Sequence, residues 1–183
     1  GKYAVITNAV SGSDGAYAMS GTAQMQKYLT FPAQDFPGQL DAALIADKKG
    51  LLTAYKPVRL VDKANLASSD LVLPEPKSVQ ELRVAGNRIQ TADGKESWLQ
   101  GLCIDSLEWS ATGDSVLQSI AIAVDDWKAN CVRLPMKESF WFGRENAQKD
   151  GGESYRKLID AAIEACAQRG AYLILDLHRF GSS

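Results

Sequence analysis

Residues 171–178 read Ala-Tyr-Leu-Ile-Leu-Asp-Leu-His, and no other run constrains the fold as much. Its first five residues are apolar without alternation. That pattern suits a strand covered on both faces, as in a parallel sheet, better than a half-solvated antiparallel strand. The run ends in two polar side chains, Asp176 and His178, which are two apart and so share one strand face. Polar groups at the C-terminal end of a parallel strand are how an α/β barrel assembles a site.

The residues before this strand supply the matching helix. Leu158, Ile159, Ala162, Ile163, Cys166 and Ala167 form one apolar face. Ser154, after Gly151-Gly152, is the expected N-cap, and Gly170 the expected C′ residue. Asn130-Cys131-Val132-Arg133-Leu134-Pro135 reads as another strand, with its Pro where the ladder should end. Ahead of it, Val116, Ile120, Val124 and Trp127 recur at close to helical period. Trp98-Leu99-Gln100-Gly101-Leu102-Cys103-Ile104 reads as a further buried strand, preceded by two short strands around Gly86-Asn87 and a turn at Ala92-Asp93-Gly94. Trp98 and Trp127 are expected in the core.

Strand, helix, strand, helix, strand argues a parallel sheet covered by helices. An eightfold barrel needs about 250 residues, roughly 31 per unit, so the stretch from Leu82 onward has room for the three units it shows. A doubly wound sheet also fits that arithmetic, but no Gly-x-Gly-x-x-Gly follows the first strand. As the 183 residues stand, the remaining strands are expected from a continuing or second polypeptide.

Residues 1–78 differ in character, being rich in Ala, Ser, Gly, Thr and Gln. Short β-like runs occur at Tyr3–Ala9, Thr22–Phe31, Leu51–Leu60 and Asp70–Leu73. Turn signals separate them: Ser11-Gly12-Ser13-Asp14-Gly15, Phe36-Pro37-Gly38 and Lys48-Lys49-Gly50. The expectation is a small β-rich, sandwich-like module, in which Gln39–Lys48 could equally be a short helix. Leu73-Pro74-Glu75-Pro76-Lys77 is stiff and extended, a linker to the second domain at 79–183.

Net charge is −2 with both signs interspersed, which argues against nucleic acid, and no apolar run reaches membrane length. No signal peptide is visible, as expected of either a mature secreted or a cytosolic protein. Cys103, Cys131 and Cys166 each lie in an apolar run and read as small buried hydrophobes. One His and no Cys-x-x-Cys argue against zinc. Asp125-Asp126 reads as a solvated helix face.

Several segments, in order, resemble the start of glycoside hydrolase family 5, the cellulase-like (β/α)8 TIM barrels. Gly86-Asn87-Arg88-Ile89 to Asp93-Gly94-Lys95 resembles the hairpin that closes the barrel bottom. Trp98-Leu99-Gln100-Gly101 with Ser106-Leu107-Glu108-Trp109 is similar to the first strand and its loop. Asp126 through Pro135 resembles the second strand, and Tyr155–Asp160 leading to Leu175-Asp176-Leu177-His178 resembles helix two and strand three. About 100 residues take part.

The resemblance implies a retaining glycosidase acting on a β-linked polysaccharide, cellulase- or β-glucanase-like and without a cofactor. Two glutamates would do the chemistry. In the family they follow strands four and seven, so none is expected in this chain, and the 183 residues alone are expected to be inactive. The supporting residues carried over are Arg133, which would lie beneath the nucleophile, and His178, which would reach sugar hydroxyls. Where relatives often carry Asn in strand one, this chain has Cys103.

The same residues have plainer readings. Arg133 could be a surface ion-pair partner, although a position between Val132 and Leu134-Pro135 is awkward for one. His178 could be a satisfied core residue. Trp109 with Glu108, and Trp141 within Phe140-Trp141-Phe142, are substrate-binding candidates that could instead plug the rim or pack in the core. Asp176 and His178 could hold a metal in a different barrel hydrolase. A non-catalytic carbohydrate-binding protein is the alternative from another class. Secretion follows from the substrate class only.

Overall fold

A computed structural model of the chain describes residues 39–61 and 72–178. The expected runs at Tyr3–Ala9 and Thr22–Phe31, and the turns at 11–15 and 36–38, lie outside the described residues. The chain divides into two compact units, one of residues 2–45 and 55–71, the other of residues 1, 46–54 and 72–183.

The strands β1 (Gln39–Ala46) and β2 (Ala54–Val61), which lie in the first unit except for Ala46 and Ala54, form a two-stranded sheet. The helix alternative for Gln39–Lys48 is therefore corrected. Strand pairing supplies partners for the backbone here, and tertiary partners override the weak helix propensity of so short a segment. The expected run Leu51–Leu60 begins as a strand only at Ala54, and Val72 and Leu73 carry no regular structure.

In the second unit Lys48-Lys49-Gly50 turns as expected, with Leu51 N–H donating to Lys48 O and Gly50 at φ 86°. The extended stretch at 73–77 is tied at both ends: Pro74 O accepts from Leu52 N–H, and Lys77 N–H donates to Gln168 O.

β3 (Leu82–Ala85) and β4 (Arg88–Thr91) pair antiparallel around Gly86-Asn87. Gly86 has φ 63°, as a tight hairpin turn requires. Next come β5 (Gly101–Cys103), helix α1 (Val116–Ala121), a π-helical turn (Ile122–Asp126), β6 (Cys131–Met136), α2 (Glu138–Trp141), α3 (Glu153–Gln168) and β7 (Tyr172–Leu177). β5, β6 and β7 form a parallel sheet in chain order, with Cys103 opposite Arg133 and Arg133 opposite Ile174. The fold is thus mixed α/β with a parallel sheet.

Right-handed crossovers between neighbouring parallel strands put both connecting helices on one face. Val132 and Leu134 meet them there, in a core with Ile104, Leu107, Val116, Ile120, Tyr155, Ile159, Ala162 and Cys166. Gly101 is required because a Cβ there would stand 1.6 Å from Cys131 O.

Three local expectations are corrected. Pro135 does not end its strand: it pairs with Asp176, and Met136 O still accepts from His178 N–H. Arg133 O, which accepts from Ile104 N–H, faces β5, and by alternation the Pro135 nitrogen faces the same way, past the end of β5. The missing N–H therefore costs no ladder bond.

Ser154 is not the N-cap of α3. Gly152 holds that position, and Asp150 accepts from Gly152 N–H at 3.0 Å and Ser154 N–H at 2.8 Å. At the other end Gly170, φ 72°, donates to Ala167 O and Ala171 to Cys166 O, the paired bonds of a Schellman ending.

Trp98 and Trp127 are not core residues, being 79% and 70% exposed. Trp127 comes at the end of the π turn, in which its N–H donates to Ile122 O, five residues back. One extra residue in a helical turn rotates the later side chains by roughly 100°, which carries Trp127 off the buried face. Trp98 lies in an irregular segment whose carbonyl accepts from Asn130 Nδ2.

Candidate functional site

The face of the sheet opposite the helices gathers the polar side chains. Alternation along β6 and β7 sends Val132, Leu134, Leu173 and Leu175 one way, and Arg133, Ile174 and Asp176 the other. His178, two beyond Asp176, lies with the second set.

These groups touch. Arg133 Nη2 donates to Asp176 Oδ2 at 2.5 Å, and the same oxygen lies 2.9 Å from His178 Nδ1. Arg133 Nη2 is 3.3 Å from that nitrogen. On the other side Arg133 Nη1 donates to Cys103 Sγ at 3.0 Å, and the thiol donates to Asp105 Oδ1 at 3.0 Å. A chain of hydrogen bonds thus crosses three strands, with the guanidinium at its centre.

The hydrogen bond to Cys103, helped by the Asp176 charge, pushes Arg133 above its already high value. Partial burial of the thiol, then its bond to Asp105, raises Cys103, and Arg133 pulls the other way. Arg133 and Asp176 are both partly exposed, so the pair fixes geometry more than it adds stability. A guanidinium beside both Asp176 and His178 also occupies the place a cation would need, which disfavours the metal reading. Among the described residues no group of three or more His, Cys, Asp or Glu could hold a metal ion.

The other candidates stand apart. Glu108 is buried, and its Oε2 accepts from Ser106 N–H at 2.8 Å. It braces the loop after β5 at Ser106, whose φ is 110°. Trp109, next in that loop, is exposed. Trp141 lines a shallow pocket of about 270 Å³ with Met136, Glu138, Phe142, Leu175 and Leu177. Leu175 lies on the helix face, so the structure does not bring Trp141 together with Arg133 and His178. Phe140 is buried against Tyr155, and Phe142 is exposed beneath Arg144. Glu138 pairs with Arg144.

Sequence reasoning missed two features. Cys103, expected to be buried, is exposed and bonded to Arg133, whereas Cys131 and Cys166 are buried as expected. Asp126 is exposed as expected, but Asp125 is only partly so and pairs with buried Arg169 at 3.1 Å. Register across strands would have found the first, because Cys103 lies opposite Arg133.

Known proteins resemble the same stretch. Endoglucanase A of Butyrivibrio fibrisolvens is 33% identical over 98 residues, which is 54% of this chain and 23% of that protein. The chain thus spans about a quarter of the length of the curated relative it matches. Among solved structures, a cellulase is 28% identical with a TM-score of 0.44, over 55% of this chain and 31% of that one. An endoglucanase catalytic domain from Thermobifida fusca is 23% identical with a TM-score of 0.39, over 54% and 30%. The family profile described as Cellulase (glycosyl hydrolase family 5) matches residues 90–182, just over half of the chain. By that match the chain belongs to glycosyl hydrolase family 5.

Proposed function

We propose that this chain is part of an endoglucanase-like glycosidase that hydrolyses a β-linked glucan with retention of configuration. The observation that carries the reading is the Arg133–Asp176–His178 cluster at the C-terminal ends of adjacent parallel strands, inside the segment the family profile matches. The relative at 33% identity is named an endoglucanase.

In a retaining reaction one carboxylate attacks the anomeric carbon while a carboxylic acid gives its proton to the departing oxygen. Water then attacks the same carbon, passes its proton to that second group and frees the first. Both carboxylates belong, in this reading, to a continuing or second polypeptide that also supplies the remaining strands. Arg133 would face the nucleophile and hold it ionised. His178 would meet a sugar hydroxyl, and exposed Trp109 would stack on a sugar ring. Glu108 supports that loop from beneath. The unit of residues 2–45 and 55–71 would be an appended module, and the enzyme would be secreted, because polysaccharide lies outside the cell.

The test is reducing-sugar release from a soluble β-glucan, with product configuration followed by proton NMR. The longer polypeptide should release β-configured product and the 183 residues alone none. Glucan binding without cleavage by both would replace this reading with that of a carbohydrate-binding protein.

A further inference from the structure

We infer that Asp176 is a positioning residue: it holds the proton of His178 on Nδ1, which presents the Nε2 lone pair toward a sugar hydroxyl. The sugar in that statement rests on the glycosidase reading, whereas the placement of the proton does not.

Among the described residues, Asp176 Oδ2 at 2.9 Å and Arg133 Nη2 at 3.3 Å approach His178 Nδ1, and they make opposite demands. A carboxylate oxygen offers only lone pairs, so a contact of 2.9 Å requires hydrogen on Nδ1. A bare Nδ1 would suit the guanidinium but would set two lone pairs against each other at the shorter distance. Arg133 is already committed elsewhere. Its Nη2 gives its short bond to the same Oδ2 and its Nη1 is anchored on Cys103 Sγ. The fork is stretched between β5 and β7 and cannot turn fully toward the ring.

One carboxylate oxygen therefore sets two groups at once. In a neutral imidazole with hydrogen on Nδ1, Nε2 is an acceptor, and a sugar hydroxyl can donate to it. Asp176 need not touch the sugar. The role resembles the way an outer carboxylate fixes the tautomer of a metal-binding histidine.

His178 is the only histidine of the 183 residues, so ring-nitrogen NMR of the ¹⁵N-histidine-labelled protein reads the proton directly. In a longer form, loss of the signal in H178Q identifies it. Spectra are taken on the alkaline plateau, where the ring-nitrogen shifts no longer change with pH. The wild type should show the Nδ1–H form. In D176A the guanidinium still approaches Nδ1 and the carboxylate does not, so the ring should switch to Nε2–H. A wild-type ring in the Nε2–H form overturns the inference without any variant, and so does a folded D176A with Nδ1–H unchanged.

kcat/KM on β-glucan should fall roughly tenfold in D176A, the worth of one hydrogen bond to substrate. Tautomers as expected with no hydrolysis in any form would sink the glycosidase reading and leave the proton placement standing. Hydrolysis with the wrong wild-type tautomer would do the reverse.

Discussion

Tyr155→Phe isolates a single oxygen that joins two loops. Tyr155 lies in α3 and is 1% exposed. Its hydroxyl donates to Leu107 O at 2.7 Å and accepts from Lys137 N–H at 3.0 Å. One loop comes after β5 and the other after β6, so the phenol ties both to the helix beneath them. Phenylalanine keeps the ring and its tilted contact with Phe140, leaving apolar burial unchanged. Two backbone groups, however, lose their partner. Leu107 is fully buried, and an unsatisfied carbonyl there costs about 1–3 kcal/mol. The Lys137 amide is nearer solvent and costs less, while the variant no longer has a hydroxyl to desolvate. The net loss is about 2 kcal/mol. With a urea slope of about 1–3 kcal/mol per molar, the midpoint should move by about 1 M at constant slope. Urea unfolding followed by circular dichroism reads the shift, and amide exchange at Lys137 should quicken. A change under about 0.5 kcal/mol would refute the reasoning, because surface substitutions do no more than that.

Three other outcomes are expected. Bonds from Ser154 foremost, with Gly152, hold the Asp150 carboxyl below its usual value. A lowered carboxylate stabilises the fold above its unfolded value, about 4, and loses that contribution as the pH falls through its folded value; thermal midpoints of wild type and D150A should therefore differ at pH 7 and converge in acid. Burial pushes the Cys166 thiol up to about 12, and Cys131 is also buried; iodoacetamide labelling with peptide mapping should find Cys103 modified in the native protein, and the other two only after unfolding. Gly101→Ala drives a Cβ into Cys131 O and should destabilise by about 3 kcal/mol or more, read from the same urea curves; a wild-type midpoint would show that β5 pairs differently.

The parallel sheet was legible because its strands are apolar on both faces and its main helix is bounded by glycines. Tyr155, Ile159, Ala162 and Cys166 form the buried stripe of α3, while Ile163, expected beside them, is partly exposed at its margin. The features that escaped sequence reading depend on neighbours distant along the chain. Asp150 caps α3 by reaching across two glycines, so the nearer Ser154 misled. The π turn has a five-residue spacing that no 3.6 pattern reveals, which misplaced Trp127. Alternation alone put Asp176 and His178 on one face. That Arg133 reaches both of them, with Cys103 beyond, needed the register of three strands. Trp141 is near the cluster in sequence order, yet the parity of Leu175 places it across the sheet.

Among the described residues β7 has a neighbour on one side only, and Ile174, Leu175 and Leu177 are exposed, Leu177 at 62%. Because the strands pair in chain order, one unpaired edge of the sheet during synthesis is always the newest strand, with β5 at the other. A unit of roughly 31 residues takes about 2–6 s to emerge from a ribosome, and for that interval the fresh edge has no partner. The hazard is therefore one of timing. Ribosome-bound chaperones should engage this polypeptide most strongly just after β7 appears, and, in the longer protein proposed above, release it once a further strand is laid alongside.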